Sequence, residues 1–261
     1  MQFDYWHKQA KGKALYSDIE WQRPETKSMA GKLLIVGGNK LGFAAVAQAY
    51  NDALSAGVGE CRAVLPDALK SVIDKFALDC VYVPTNISGG MNKDALTPLE
   101  ASAAWADAVL MIGDAGRNSE TAILFETFLQ RSSKPALITR DAVDLLKSSM
   151  PTLLERPNTT FVLSLAQLQK MFQSVYYPKT ILFSMQLTTL VETLHKFTIS
   201  YPVTLVVFHQ NQLVVAHDGN VSTTPWEEVM MIWRGSVAAK ASVYWLQNLN
   251  RPFEAITTSI A

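Results

Sequence analysis

The chain has 261 residues, 49% of them hydrophobic and 18% charged, a composition that argues against global disorder and supports a substantial core. Lys plus Arg equal Asp plus Glu at 23 each, so charge gives no case for nucleic acid or an anionic membrane as partner. The length fits one large α/β domain or two small ones.

The first 30 residues are polar with scattered aromatics, Tyr5, Trp6, Tyr16 and Trp21. They read as an N-terminal arm (1–30) that packs on the body or on a neighbouring subunit. Strands and helices then alternate. The apolar runs predict strands over 32–36, 60–65, 80–83, 108–112, 135–139 and 160–163. Helices are predicted over 43–56, over 67–76 capped by Asp67, over 98–106 opening on Pro98, over 119–130 capped by Ser119, and over 142–147. This alternation predicts a parallel sheet covered on both faces. Further on, 181–196 reads as a helix, and 203–208 and 213–216 as an antiparallel hairpin around His209-Gln-Asn-Gln212. Thr224-Pro-Trp-Glu227 has the pattern of a helix start, and another helix spans 236–248. No linker divides residues 31–261, which read as a single domain. No apolar run reaches the roughly 18 residues that span a bilayer. The N-terminus does not resemble a secretory signal, and the chain reads as cytoplasmic. Its two cysteines, Cys61 and Cys80, read as buried free thiols.

Chemistry concentrates at the strand ends. Gly37 and Gly38 close the first strand, and Gly42 precedes an alanine-rich helix. Such a strand–turn–helix suits either a phosphate that approaches the backbone or a tight βα turn. Gly113 and Gly116 with Arg117 fit a phosphate contact or a surface loop, and Asp114 beside them disfavours an anion. Asp141 fits either a cleft-facing acid or the cap of the following helix. His7, His195, His209 and His217 lie far apart in sequence, and no pair has metal-ligand spacing. Ser184 and Ser236 lack the context of a nucleophile elbow.

Four stretches, in order, resemble a known family. Gln22-Arg-Pro-Glu-Thr-Lys-Ser-Met-Ala-Gly-Lys-Leu-Leu-Ile-Val-Gly-Gly-Asn39 is similar to a basic-proline lead followed by a strand and glycine pair. Ala53-Leu-Ser-Ala-Gly-Val-Gly59 resembles an Ala-Gly-Ala-Gly helix end. Ala108-Val-Leu-Met-Ile-Gly-Asp-Ala-Gly-Arg117 resembles Ile-Gly-Pro-Gly-Leu-Gly-Arg, and Leu137-Ile-Thr-Arg-Asp-Ala-Val-Asp-Leu-Leu146 resembles Asp-Ala-Asp-Ala-Leu-Asn-Leu-Leu. Together they resemble the ADP- or ATP-dependent NAD(P)H-hydrate dehydratases of the ribokinase-like superfamily. The resemblance implies a three-layer α/β/α sandwich with a mainly parallel sheet and a C-terminal antiparallel hairpin. It implies removal of water from hydrated NADH or NADPH after phosphorylation of the ring hydroxyl. ADP or ATP with Mg²⁺ and an NAD(P)H-type ligand are the implied cofactors, and a dimer or tetramer the implied assembly. Carried onto this chain, the implied nucleotide- or substrate-binding positions are Gly37, Gly38, Asn39, Lys40, Gly42, Gly113, Gly116, Arg117, Asp141, Arg234 and Gly235.

The catalytic end departs from the family. Its Gly-Ser-Gly-Asp turn, which supplies an anion hole and a carboxylate base, is replaced by Trp233-Arg-Gly-Ser236. Ser236 stands in the place of the carboxylate. The family's His-Pro-Gly-Glu stretch is replaced by Ser164-Leu-Ala-Gln167. The turn at 233–236 is therefore expected to be closed, with Trp233 or Arg234 filling the phosphate volume. Two functional readings follow: a divergent, nucleotide-related hydrate dehydratase-like protein with weak or absent activity, and an inactive homologue kept as a binding or assembly subunit.

Overall fold

The computed structural model describes residues 3–73 and 78–261. The strands are β1 (Trp6–Lys8), β2 (Lys32–Gly37), β3 (Glu60–Pro66), β4 (Cys80–Val83), β5 (Ala108–Gly113), β6 (Ala136–Thr139), β7 (Thr159–Leu163), β8 (Val203–His209), β9 (Gln212–His217) and β10 (Asn220–Pro225). Among the described residues they form one sheet in the order β1-β10-β9-β8-β7-β6-β5-β2-β3-β4. From β4 through β8 all neighbours are parallel. β9 alone runs against both its neighbours, and β1 returns to pair in parallel with β10.

The central strands are apolar on both faces because both faces are covered. Along β2, Leu34 and Val36 join one core while Leu33 and Ile35 join the other. Helices Leu96–Trp105, Ser119–Arg131, Leu165–Ser174 and Leu187–Ser200 bury their apolar sides in the first core. Helices Ala44–Ser55, Ser236–Gln247 and Pro252–Ser259 complete the second. The result is the expected three-layer α/β/α sandwich with its antiparallel hairpin. No helix among the described residues is long and apolar enough to cross a membrane.

Residues 3–30 lie on the body of the same chain. The indole of Trp6 donates to Thr223 Oγ1 at 3.0 Å, Tyr5 stacks on His195 with ring centroids 3.7 Å apart, and Tyr16 meets Phe253 edge-on. Trp21 alone of the four aromatics is largely exposed, at 87%.

Several local expectations are corrected. Thr224-Pro225 is not a helix start but the end of β10, with Thr224 fully buried and its hydroxyl accepting a hydrogen bond from Gln9 at 3.1 Å. β-branched residues at 221, 223 and 224 suit a strand, and a proline at the strand's last position withholds no ladder bond from the interior. Asn118, not Ser119, caps helix Ser119–Arg131 by accepting from Glu120 and Thr121. The helix around Pro98 begins two residues earlier, at Leu96. The segment after Asp67 opens as a 3₁₀ turn, Asp67–Leu69, leading into Lys70–Ile73, and the rest of that predicted helix (74–76) lies outside the described residues. Asp67 is the first residue of that turn, with Pro66 at the cap position, and its carboxylate accepts from Thr85 Oγ1. Helix Leu187–Ser200 starts later than the predicted 181. Ser164 and Gln167 form a reciprocal capping box that opens helix Leu165–Ser174.

Candidate functional site

The chain runs outward from β2 through β3 to β4 on one side and from β5 through β6 and β7 to β8 on the other. The sheet therefore reverses its winding between β2 and β5. In open α/β sheets a crevice at the carboxyl ends of such a strand pair is the usual ligand site. Gly37 and Gly113 end these two strands opposite each other.

The loop after Gly37 is closed on itself. The amides of five successive residues donate within the protein: Gly38 to Gly113 O, Asn39 to Gly42 O, Lys40 to Gly89 O, Leu41 to Asn39 Oδ1 and Gly42 to Asn39 O, all between 2.8 and 3.0 Å. The side-chain amide of buried Asn39 donates to Ser88 O at 3.2 Å, which ties this loop to the 86–90 turn. Lys40 is exposed, with its aliphatic stem lying over Gly89. These glycines thus form a tight βα turn whose amides are already satisfied.

The adjoining loop carries the charge. Gly113 has φ 87°, and a Cβ on it would fall 2.0 Å from Asp141 Oδ1, so no larger residue fits beneath that carboxylate. Asp141 accepts the backbone amide protons of Asp114 at 2.7 Å and Ala115 at 3.1 Å. It does not cap the helix that follows: it is the first residue of Asp141–Leu145, and the cap position is Arg140 at φ 57°. Burial pushes the Asp141 carboxyl above the usual carboxylate range, against the pull of the Asp114 amide. Asp114, at φ 54°, accepts from the Ala45 amide at 2.8 Å with one oxygen and from the Arg140 guanidinium with the other. Arg140 also donates to the Trp233 carbonyl.

The segment expected to be a closed turn is two helices in succession, Val229–Arg234 and Ser236–Gln247, joined at Gly235. Gly235 has φ 91°, and a Cβ there would come within 2.4 Å of Ile112 Cδ1. Ser236 is buried as the first residue of the second helix. Trp233 is 45% exposed and does not line a cleft at the switch point. Arg234 does: a cleft of about 400 Å³ is lined by Ala44, Ala45, Gln48, Asp114, Arg140 and Arg234. Arg117 lies elsewhere, in a second cleft of about 560 Å³ shared with Asp141, Asp144, Lys147 and Lys170. Gly116 packs against the side-chain amide of Asn39. Of the sequence-predicted residues, Arg234 lines the first cleft and Arg117 and Asp141 the second. No group of three or more potential metal ligands occurs among the described residues.

Arg140 was missed as a site residue by sequence reasoning. Its signal was an arginine just past the carboxyl end of a parallel strand, a position that faces the crevice.

No family model matches the chain. A ribokinase-like superfamily protein from Enterococcus faecalis V583 superposes with a TM-score of 0.73 at 14% identity, over 98% of this chain and 86% of that one. The fold is ribokinase-like. The ADP/ATP-dependent NAD(P)H-hydrate dehydratase from Bacillus subtilis, co-crystallised with ATP/Mg²⁺, shares this ribokinase-like fold with a TM-score of 0.60 at 12% identity, over 94% and 85% of the two chains. In sequence, the chain is 31% identical over 123 residues to the bifunctional NAD(P)H-hydrate repair enzyme Nnr of Moorella thermoacetica. That match covers 46% of this chain and 23% of the relative, so the matched part spans about a quarter of the relative's length. The chain therefore resembles an NAD(P)H-hydrate repair enzyme in sequence over part of its length and an NAD(P)H-hydrate dehydratase in fold over nearly all of it.

Proposed function

We propose that the protein is a divergent NAD(P)H-hydrate dehydratase-like protein that binds the phosphate of a nucleotide at the switch-point cleft and has weak or absent dehydratase activity. Support for nucleotide binding comes from the relatives named above and from two guanidinium groups, Arg140 and Arg234, on one cleft. Arginine holds phosphate through paired N–H donors.

One observation carries the catalytic half of the proposal. All four carboxylate oxygens of Asp114 and Asp141 already accept hydrogen bonds from protein donors. Ser236, in the place of the family's base, cannot take a proton at neutral pH without a partner base. Loss of a general base typically costs about 10²–10⁴-fold in rate, and loss of an oxyanion donor about 10²–10³ more. The test is recovery of NADPH absorbance from hydrated NADPH with ADP or ATP and Mg²⁺. Turnover at ordinary enzymatic rates would sink the claim of weak activity. A thermal-shift series with ADP, ATP, NADH and NADPH tests binding, since a ligand at 100 times its dissociation constant stabilises the fold by about 2.7 kcal/mol.

A further inference from the structure

We propose that Asp114 is the resident anion of the switch-point cleft, and that a ligand's phosphate group binds by displacing its carboxylate from Arg140. The inference rests on the nucleotide reading above and adds how that site is held closed.

Three attractors for negative charge meet on this cleft. One is the Arg140 guanidinium, whose Nη2 donates to Asp114 and whose Nε is buried without an acceptor. Another is Arg234, which pairs with no carboxylate among the described residues. The last is the Ala45 amide in the first turn of helix Ala44–Ser55. A helix start favours an anion through its unpaired amides and dipole. Asp114 meets two of the three with a single carboxylate, one oxygen on Ala45 N and the other on Arg140. It does not satisfy Arg234 or Arg140 Nε. A phosphate carries more charge and more acceptor oxygens than a carboxylate, and a site with two guanidinia matches it better.

The exchange needs little motion. The Asp114 backbone is fixed by the Asp141 carboxylate at 2.7 Å, so rotation of the Asp114 side chain alone clears the position. The same fixed backbone keeps the carboxylate at a high local concentration, which makes Asp114 an internal competitor. The apparent affinity for an outside anion is lowered by the fraction of molecules in which the carboxylate is displaced.

The experiment is calorimetric titration of the full chain with ADP and, separately, with inorganic phosphate. It compares the wild type with Asp114→Asn, Asp114→Gly and Arg234→Ala. Asp114→Gly is included because glycine accepts φ 54° without strain, so a carboxylate-free variant folds even where Asp114→Asn does not. Removing the competitor should tighten binding of both probes by about tenfold or more, and Arg234→Ala should weaken ADP. If the wild type binds ADP in an Arg234-dependent manner and both Asp114 variants bind no tighter, the displacement is wrong while the nucleotide site stands. If neither the wild type nor a folded Asp114 variant takes up ADP or phosphate, the nucleotide reading fails and this inference fails with it.

Discussion

Asp141 fixes the backbone of Asp114: its Oδ1 takes the Asp114 amide proton at 2.7 Å and its Oδ2 that of Ala115 at 3.1 Å. One acid thereby positions the other. Asp141→Ala would leave both amides without acceptors in a largely buried loop. Each unmatched buried donor costs about 1–3 kcal/mol. We expect a loss of about 2–4 kcal/mol in denaturant unfolding. A variant as stable as the wild type would show that the two amides find other acceptors.

Gly113→Ala tests the same arrangement from beneath. The added Cβ would lie 2.0 Å from Asp141 Oδ1 and sit on a backbone at φ 87°. Gly12→Ala is the control, because Gly12 has φ 71° with nothing within 4 Å of the added atom. The control should cost about 1–2 kcal/mol, the left-handed penalty alone. Gly113→Ala should cost clearly more, and equal losses in the two variants would count against the crowding.

The sheet edge at β1 depends on Gln9. Its side-chain nitrogen donates to Thr224 Oγ1 at 3.1 Å and to Thr257 O at 2.7 Å, while its oxygen accepts from Leu15 N at 2.9 Å. Gln9→Ala removes all three bonds at a buried position. About 2 kcal/mol or more should be lost. Hydrogen exchange should quicken at the amides of β1 and β10 ahead of those in β5 and β6, and uniform quickening would contradict this.

The fold should weaken on mild acidification through His217. Burial holds this imidazole below its ordinary value of 6.5, with Asp218 and Glu254 opposing the shift and Thr204 Oγ1 2.9 Å from Nδ1. Above about pH 7.5 the ring is essentially neutral in both states and contributes no pH dependence. As pH falls below that, the unfolded chain takes up a proton that the folded one resists, and stability declines until the folded ring titrates too. The slope from this group is at most about 1.4 kcal/mol per pH unit. His217→Asn should flatten the pH profile of unfolding between about pH 5 and 6.5. An unchanged profile would place the dependence elsewhere.

The sheet was largely legible because buried parallel strands are written as unbroken apolar runs, as in Leu33–Val36 and Ala108–Ile112. Their glycine ends marked the crevice. Residues with two local uses misled. Thr224-Pro225 satisfies the pattern of a helix cap, yet its partner Gln212 decides the matter from across a ladder. Ser164-Leu-Ala-Gln167 carries the spacing of a capping box as well as the place of a family motif, and the capping box is what it forms. The pairing of Asp114 with Arg140 was not legible, since it joins loops 26 positions apart and depends on positive φ at both residues.

The reversal at β9 has a consequence for the order in which the chain is built. Because β9 turns back once, β10 points the same way as the central strands and offers its outer edge to β1, a segment made some 215 residues earlier. During synthesis Trp6–Lys8 therefore wait without their partner until β10 has emerged. The core around β2 and β5 can assemble vectorially, whereas the β1 edge can close only after β10 is made, by joining two segments far apart along the chain.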